Sequence, residues 1–134
     1  MNIYFAGSIR GGRQKVDDYI KIVDVLKEYG NVLTEHVANP NLKVAGENLS
    51  PEEVYLRDVK YLEECDILFA EISIPSLGVG YELAYAEAIG KTVICMYDES
   101  FNVSGMIRGN KNFKMIKYNE VEELLKNIRS ILEK

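Results

Sequence analysis

The chain is poor in the residues that mark several large classes of protein. It has one histidine, His36, and two cysteines, Cys65 and Cys95, which stand alone in or beside apolar runs and lack the paired spacing of a metal site. Both read as reduced core thiols, as expected of a cytoplasmic protein. Positive charge is in deficit. Sixteen lysines and arginines against 21 acidic residues give a formal net charge of −5, which argues against a sequence-independent grip on a nucleic-acid polymer. A small anionic ligand is compatible with that balance, because it needs only a local cluster of donors. No apolar run approaches the roughly 20 residues of a membrane span. The start, Met-Asn-Ile-Tyr-Phe-Ala-Gly, lacks the basic region and long apolar stretch of a signal peptide. Repeats, low-complexity segments and linkers are missing as well. With 134 residues, 47% hydrophobic and 28% charged, the expectation is one domain, 1–134, with a substantial core.

What is present alternates between two periodicities. Asn2 to Ala6 reads as a buried strand, followed by the polar turn Gly7-Ser8-Ile9-Arg10-Gly11-Gly12-Arg13. Val16, Tyr19, Ile20, Val23 and Leu26 form a helical stripe within about Gln14 to Tyr29, stopped by Gly30. Asn31 to His36 reads as a second strand and Val37 to Leu49 as a loop or lid. Ser50-Pro51-Glu52-Glu53 has the cap, the first-turn proline and the glutamate of a capping box, and predicts a helix to about Glu64. A central strand, Asp66 to Glu71, leads through a loop holding Ser73, Pro75, Ser76, Gly78 and Gly80 to a helix expected from about Tyr81 to Ala88 or Ile89. Strands at Thr92–Tyr97 and Phe113–Tyr118 flank a loop with a short helical turn near Ser104–Arg108. Asn119 is read as the cap of a last helix with stripe Val121, Leu124, Leu125, Ile128 and Leu132. This alternation predicts an α/β fold: a single doubly wound, Rossmann- or flavodoxin-like domain with a five-stranded parallel sheet.

Two acids draw attention. Asp58 falls on the helical stripe Val54, Tyr55, Asp58, Val59, Leu62, which is expected to face the sheet. Carboxylates are rarely buried without a partner, and desolvation raises their pKa. Asp58 is therefore either satisfied by a group such as Arg57 or Tyr4, or functional. Glu82, placed in the first turn of its helix, is expected to be ionised through the helix dipole. Two acids with opposite proton occupancy suit cleavage of a glycosidic bond. The Gly7–Arg13 turn has neither the dinucleotide fingerprint nor the P-loop lysine. It is either a loop leading into a helix, with solvated arginines, or a phosphate site built from amides, Ser8, Arg10 and Arg13. His36 is either structural or a contact to a base or sugar. Tyr55, Tyr61, Tyr81, Tyr85 and Tyr97 are read as packing residues.

The turn Tyr4–Arg13, the segment Leu33-Thr34-Glu35-His36-Val37, the pairs Arg57-Asp58 and Cys65-Asp66, and the stretches Ala70–Ser73 and Pro75–Leu83 together resemble the 2′-deoxynucleoside 5′-phosphate N-hydrolases of the nucleoside 2-deoxyribosyltransferase superfamily. The resemblance implies hydrolysis of a 2′-deoxynucleoside 5′-monophosphate to a free base and 2-deoxyribose 5-phosphate, with no metal or organic cofactor. It makes Glu82 the nucleophile, Asp58 the acid or base for the leaving base, and Tyr4 the residue that positions the reacting groups. Gly7, Ser8, Ile9, Arg10, Gly11, Gly12, Arg13 and His36, with Ser76 and Gly78, then surround the substrate. Ser104, with Met106 beside it, matches a serine lent across a homodimer interface to the neighbouring site. Gly105 departs from the family's alanine, and 37–49 aligns poorly. A deoxyribosyltransferase, or a non-catalytic deoxynucleotide sensor, are the alternatives.

Overall fold

The computed structural model describes residues 1–134. In chain order the elements are β1 (Asn2–Ala6), α1 (Val16–Leu26), β2 (Asn31–Val32), a 3-10 turn (Glu35–Ala38), α2 (Pro51–Glu64), β3 (Ile67–Glu71), α3 (Leu77–Ala88), β4 (Thr92–Asp98), α4 (Gly105–Arg108), β5 (Lys114–Tyr118) and α5 (Val121–Leu132). The strands form one five-stranded sheet in the order β2-β1-β3-β4-β5, and every pairing is parallel. Strand alternation divides the core. Ile3, Phe5, Phe69 and Ile94 pack on one face with Tyr19, Val23, Leu124 and Ile128 of α1 and α5. Tyr4, Ala6, Leu68 and Cys95 pack on the other with Leu62 of α2 and Val79, Leu83 and Ala86 of α3. Both cysteines are free and buried. No helix is long and apolar enough to cross a membrane.

β1 pairs with β2 on one side and β3 on the other, so the chain leaves these neighbouring strand ends in opposite directions. In open α/β sheets a ligand crevice forms at such a switch point. The Gly7–Arg13 turn after β1 and the Ile72–Ser76 loop after β3 are its two lips.

Several expectations change. The second strand ends at Val32 rather than His36. Beyond it, the Thr34 hydroxyl donates to Phe5 O (2.6 Å) and accepts from Phe5 N (2.8 Å), taking over the ladder and letting the main chain turn away. His36 thus lies in the 3-10 turn. α5 starts at Val121 behind Glu120, and Asn119 is not its cap. α2 begins where Ser50 places it: the Ser50 hydroxyl accepts from Glu53 N (3.1 Å) and the Glu53 carboxylate from Ser50 N (2.9 Å). Of its stripe, however, only Leu62 is buried. The N-terminal half of α2 therefore overhangs the crevice instead of covering the sheet.

Candidate active site

The largest revision concerns the start of α3. The helix begins at Leu77, with the Ser76 hydroxyl accepting from Val79 N (3.2 Å), and not near Tyr81. Glu82 consequently lies in the second turn, beyond the free amides and out of strong reach of the dipole. Gly78 and Gly80 are helical and have negative φ, so they make no tight turn. Their use is space: a Cβ on Gly80 would meet nothing within 4 Å, and one on Gly78 only the Ser76 hydroxyl at 3.9 Å. This bare helix face forms part of the cavity wall.

Asp58 from α2 and Glu82 from α3 line one cavity of about 170 Å³, together with Tyr55, Val59, Leu62, Gly78 and Tyr81. Tyr4, fully buried on β1, donates its hydroxyl to Glu82 Oε2. Burial is the main cause that pushes the Glu82 carboxyl up to about 8; the Tyr4 hydrogen bond and the Arg57 charge oppose it, and the nearby Asp58 adds to it. The Tyr4 phenol is raised, chiefly by burial and then by the same two carboxyls. Asp58 is held by Arg57, whose Nε donates to Oδ1 at 2.9 Å. The expectation for Glu82 is therefore overturned: burial favours its protonated form in the free protein, and the cationic partner, Arg57, is on Asp58. Sequence position alone had suggested the opposite because it placed Glu82 at the helix start.

A larger cavity of about 750 Å³ adjoins this one at Gly78. Arg10, Gly11, Ser76 and Ser104 line it, as do Ile72 to Pro75. Ser8 lies behind Gly11 of this lining, fully buried, with a hydroxyl that has no hydrogen-bond partner. Gly11 brings the two lips together, since a Cβ there would stand 2.2 Å from Pro75 O and 2.9 Å from Ser8 Oγ. An unpaired buried hydroxyl costs free energy, which a bound polar group would recover.

Other residues of the turn serve the fold. Arg13 donates Nε to Leu42 O (2.9 Å), one terminal nitrogen to Asn39 O (2.9 Å) and the other to Ser8 O (3.1 Å), so its guanidinium is occupied by carbonyls. Ile9 packs against the α1/α5 core. Gly12 has φ +142°, a conformation that L side chains avoid. Gly7 leaves room for the Tyr19 ring, 2.9 Å from where its Cβ would be. His36 lies 3.2 Å from Arg57, beside Asp58, and burial lowers its pKa. Met106 is exposed and borders neither cavity. Ser104 borders this chain's own larger cavity and caps α4 through Met106 N (3.2 Å).

Sequence reasoning missed three residues here. Tyr55 and Tyr81, taken for packing residues, are about half exposed and meet edge to face across the small cavity, centroids 6.5 Å apart. Glu47, in the 37–49 segment read as a loop or lid, places its carboxylate on Arg57. No local pattern marks it.

The family profile described as Nucleoside 2-deoxyribosyltransferase matches residues 3–124. A 5-hydroxymethyl-dUMP N-hydrolase of Danio rerio is 44% identical over 142 residues, covering 100% of this chain and 99% of the relative. Its namesake in Rattus norvegicus is 41% identical over 133 residues, 92% of this chain and 82% of that one. Among solved structures, the CMP N-glycosidase BcmB of Clostridium botulinum superposes with a TM-score of 0.74 at 25% identity, covering 98% of this chain and 99% of the other. With a profile match running from β1 into α5, the chain belongs to the nucleoside 2-deoxyribosyltransferase family.

Proposed function

We propose that the protein is an N-glycosidase that hydrolyses 2′-deoxynucleoside 5′-monophosphates to a free base and 2-deoxyribose 5-phosphate. The observation that carries this reading is the convergence of Glu82 and Asp58 on one cavity, next to a larger one with Arg10 and Gly11 on its wall and the unpartnered Ser8 hydroxyl behind Gly11. The relatives named as N-hydrolases of a deoxynucleotide and the N-glycosidase of the same fold support it.

In the first step the Glu82 carboxylate attacks C1′ as the bond from C1′ to the base nitrogen breaks, and a proton from Asp58 neutralises the departing base. The 2-deoxyribosyl centre, lacking a 2′-hydroxyl to withdraw electrons, bears the positive charge readily, and anionic Glu82 stabilises it. In the second step Asp58 takes a proton from water as the water oxygen attacks C1′, and the Glu82 ester breaks. Burial favours the protonated form of Glu82 in the free protein, so in this reading substrate binding precedes transfer of that proton towards Asp58. Tyr4, hydrogen-bonded to Glu82, stabilises the ionised form that attacks. No step calls for a metal or an organic cofactor.

The 5′-phosphate is assigned to the larger cavity, against Ser8, Arg10, Ser76 and the amides of the Gly7–Gly12 turn. One domain, 1–134, acts as a cytoplasmic homodimer in this reading. Leu77, Met106, Tyr81 and Leu56 are large, exposed and apolar on α2, α3 and α4, where a second copy would cover them and bring its Ser104 to the neighbouring site. The family description itself names the second reading, a deoxyribosyltransferase acting on unphosphorylated nucleosides. Incubation with dGMP, and separately with deoxyguanosine plus adenine, distinguishes the two. Base release from dGMP is expected, and abolished by Glu82→Ala with substrate still bound. Base exchange without use of the monophosphate would overturn the hydrolase.

A further inference from the structure

Residues 39–49 form a strap with no helix or strand, most of whose side chains are exposed. With little apolar surface to bury, its polar bonds decide where it lies. Arg13 fastens the first part through Asn39 O and Leu42 O and ties it to Ser8 O. Further on, Gly46 has φ +87° and lies under the Arg10 guanidinium, 3.2 Å from the position of a Cβ. Glu47 then sets both carboxylate oxygens on the terminal nitrogens of Arg57, one at 2.8 Å. The remaining Arg57 nitrogen, Nε, donates to Asp58 Oδ1 at 2.9 Å. One guanidinium therefore stands between two carboxylates, with His36 at 3.2 Å from its edge.

We infer that Glu47 is a positioning residue for Asp58, acting through Arg57, and that the strap thereby couples the phosphate side of the site to protonation of the leaving base. This rests on the glycosidase reading above. A guanidinium is a planar fork, so a carboxylate gripping both terminal nitrogens fixes the plane and with it the direction in which Nε points. Asp58 then receives one hydrogen bond rather than two, and half of a charge that it would otherwise have to itself. Without Glu47, the half-buried Arg57 is free to turn and close its fork on Asp58. A carboxylate clamped in that way gives up its anionic form less readily and is a poorer proton donor to a base. The strap reaches Glu47 directly from Gly46, where Arg10 rests, so a phosphate held by Arg10 and a base served by Asp58 meet at adjacent residues.

The test compares two substrates of Glu47→Gln: a deoxynucleoside 5′-monophosphate, and 2-deoxyribose 5-phosphate carrying a p-nitrophenyl group that departs without a proton. The expected result is a kcat about 10-fold or more lower on the nucleotide, within what a general acid contributes. KM should change little, and turnover of the aryl substrate should stay near that of the unmodified protein. Should that variant fold poorly, Glu47→Asp, which keeps the charge but is one methylene too short to hold both terminal nitrogens, is expected to show a smaller loss with the same selectivity. Equal losses on both substrates, a change in KM alone, or no loss on the nucleotide would overturn the assignment. Glu82→Ala serves as the control. If it still releases base, the glycosidase reading fails; if it is inactive while Glu47→Gln shows no selectivity, only the role of Glu47 fails.

Discussion

Replacing Tyr4 with phenylalanine removes one hydroxyl from a fully buried ring and leaves its packing in place. That hydroxyl is the donor to Glu82, and it is the largest influence holding down a carboxyl that burial has pushed up to about 8. A hydrogen bond to a charged group contributes about 1.5–3 kcal/mol. At about 1.4 kcal/mol per pH unit, its loss moves Glu82 up by roughly one to two further units. Below its pKa, the ionised fraction of an acid falls tenfold per unit, so the attacking form becomes about 10- to 100-fold scarcer at neutral pH. The pH dependence of kcat/KM reports groups of the free enzyme, which is the state described here. Base release from a deoxynucleoside monophosphate should fall about 10- to 100-fold at neutral pH in Tyr4→Phe, and its alkaline limb, where Glu82 loses the one proton that the leaving base needs, should move up by roughly one to two units. An alkaline limb that coincides with that of the unmodified protein, or a loss equal at every pH, would refute the role given to Tyr4 and the proton given to Glu82.

Two further outcomes concern stability. Glu82 binds its proton more tightly folded than unfolded, so folding stability is greatest below the unfolded value of about 4.3 and falls as pH rises towards about 8. Glu82→Gln removes that dependence; urea denaturation should find it gaining on the unmodified protein by about 1 kcal/mol or more per pH unit across the window, and a constant difference would contradict the raised pKa. Gly11→Ala puts a methyl group 2.2 Å from Pro75 O, where the two lips of the crevice meet. It should cost about 1–3 kcal/mol in denaturation and weaken nucleotide binding, and a neutral effect on both would mean that the lips are not held in register there.

The alternation of strands and helices was readable because each signal is local. Apolar runs mark β1, β3 and β4, the Ser50–Glu53 capping box marks the first residue of α2, and stripes of 3.6-residue period mark α1 and α5. Right-handed parallel crossovers then leave few topologies to choose from. The candidate site divided differently. Tyr4, Asp58 and Glu82 could be named from the chain, whereas their proton occupancy could not. A proton on Glu82 reflects desolvation by the fold and a donor 78 residues away, set against a helix dipole that weakens within one turn. The same holds for the arginines of the first turn. Arg10 and Arg13 look alike in the sequence, but Arg13 meets two carbonyls of a returning strap and one of its own turn, and Arg10 does not. The glycines of α3 read as breakers, yet the Ser76 cap and the surrounding packing carry the helix straight through them. By itself the sequence determined which elements form and which acids are candidates, since those follow from short-range pattern and residue chemistry. Only the tertiary structure decided which acid holds the proton, which arginine is free, and that Glu47 reaches the site, because each depends on distances between segments that no local pattern encodes.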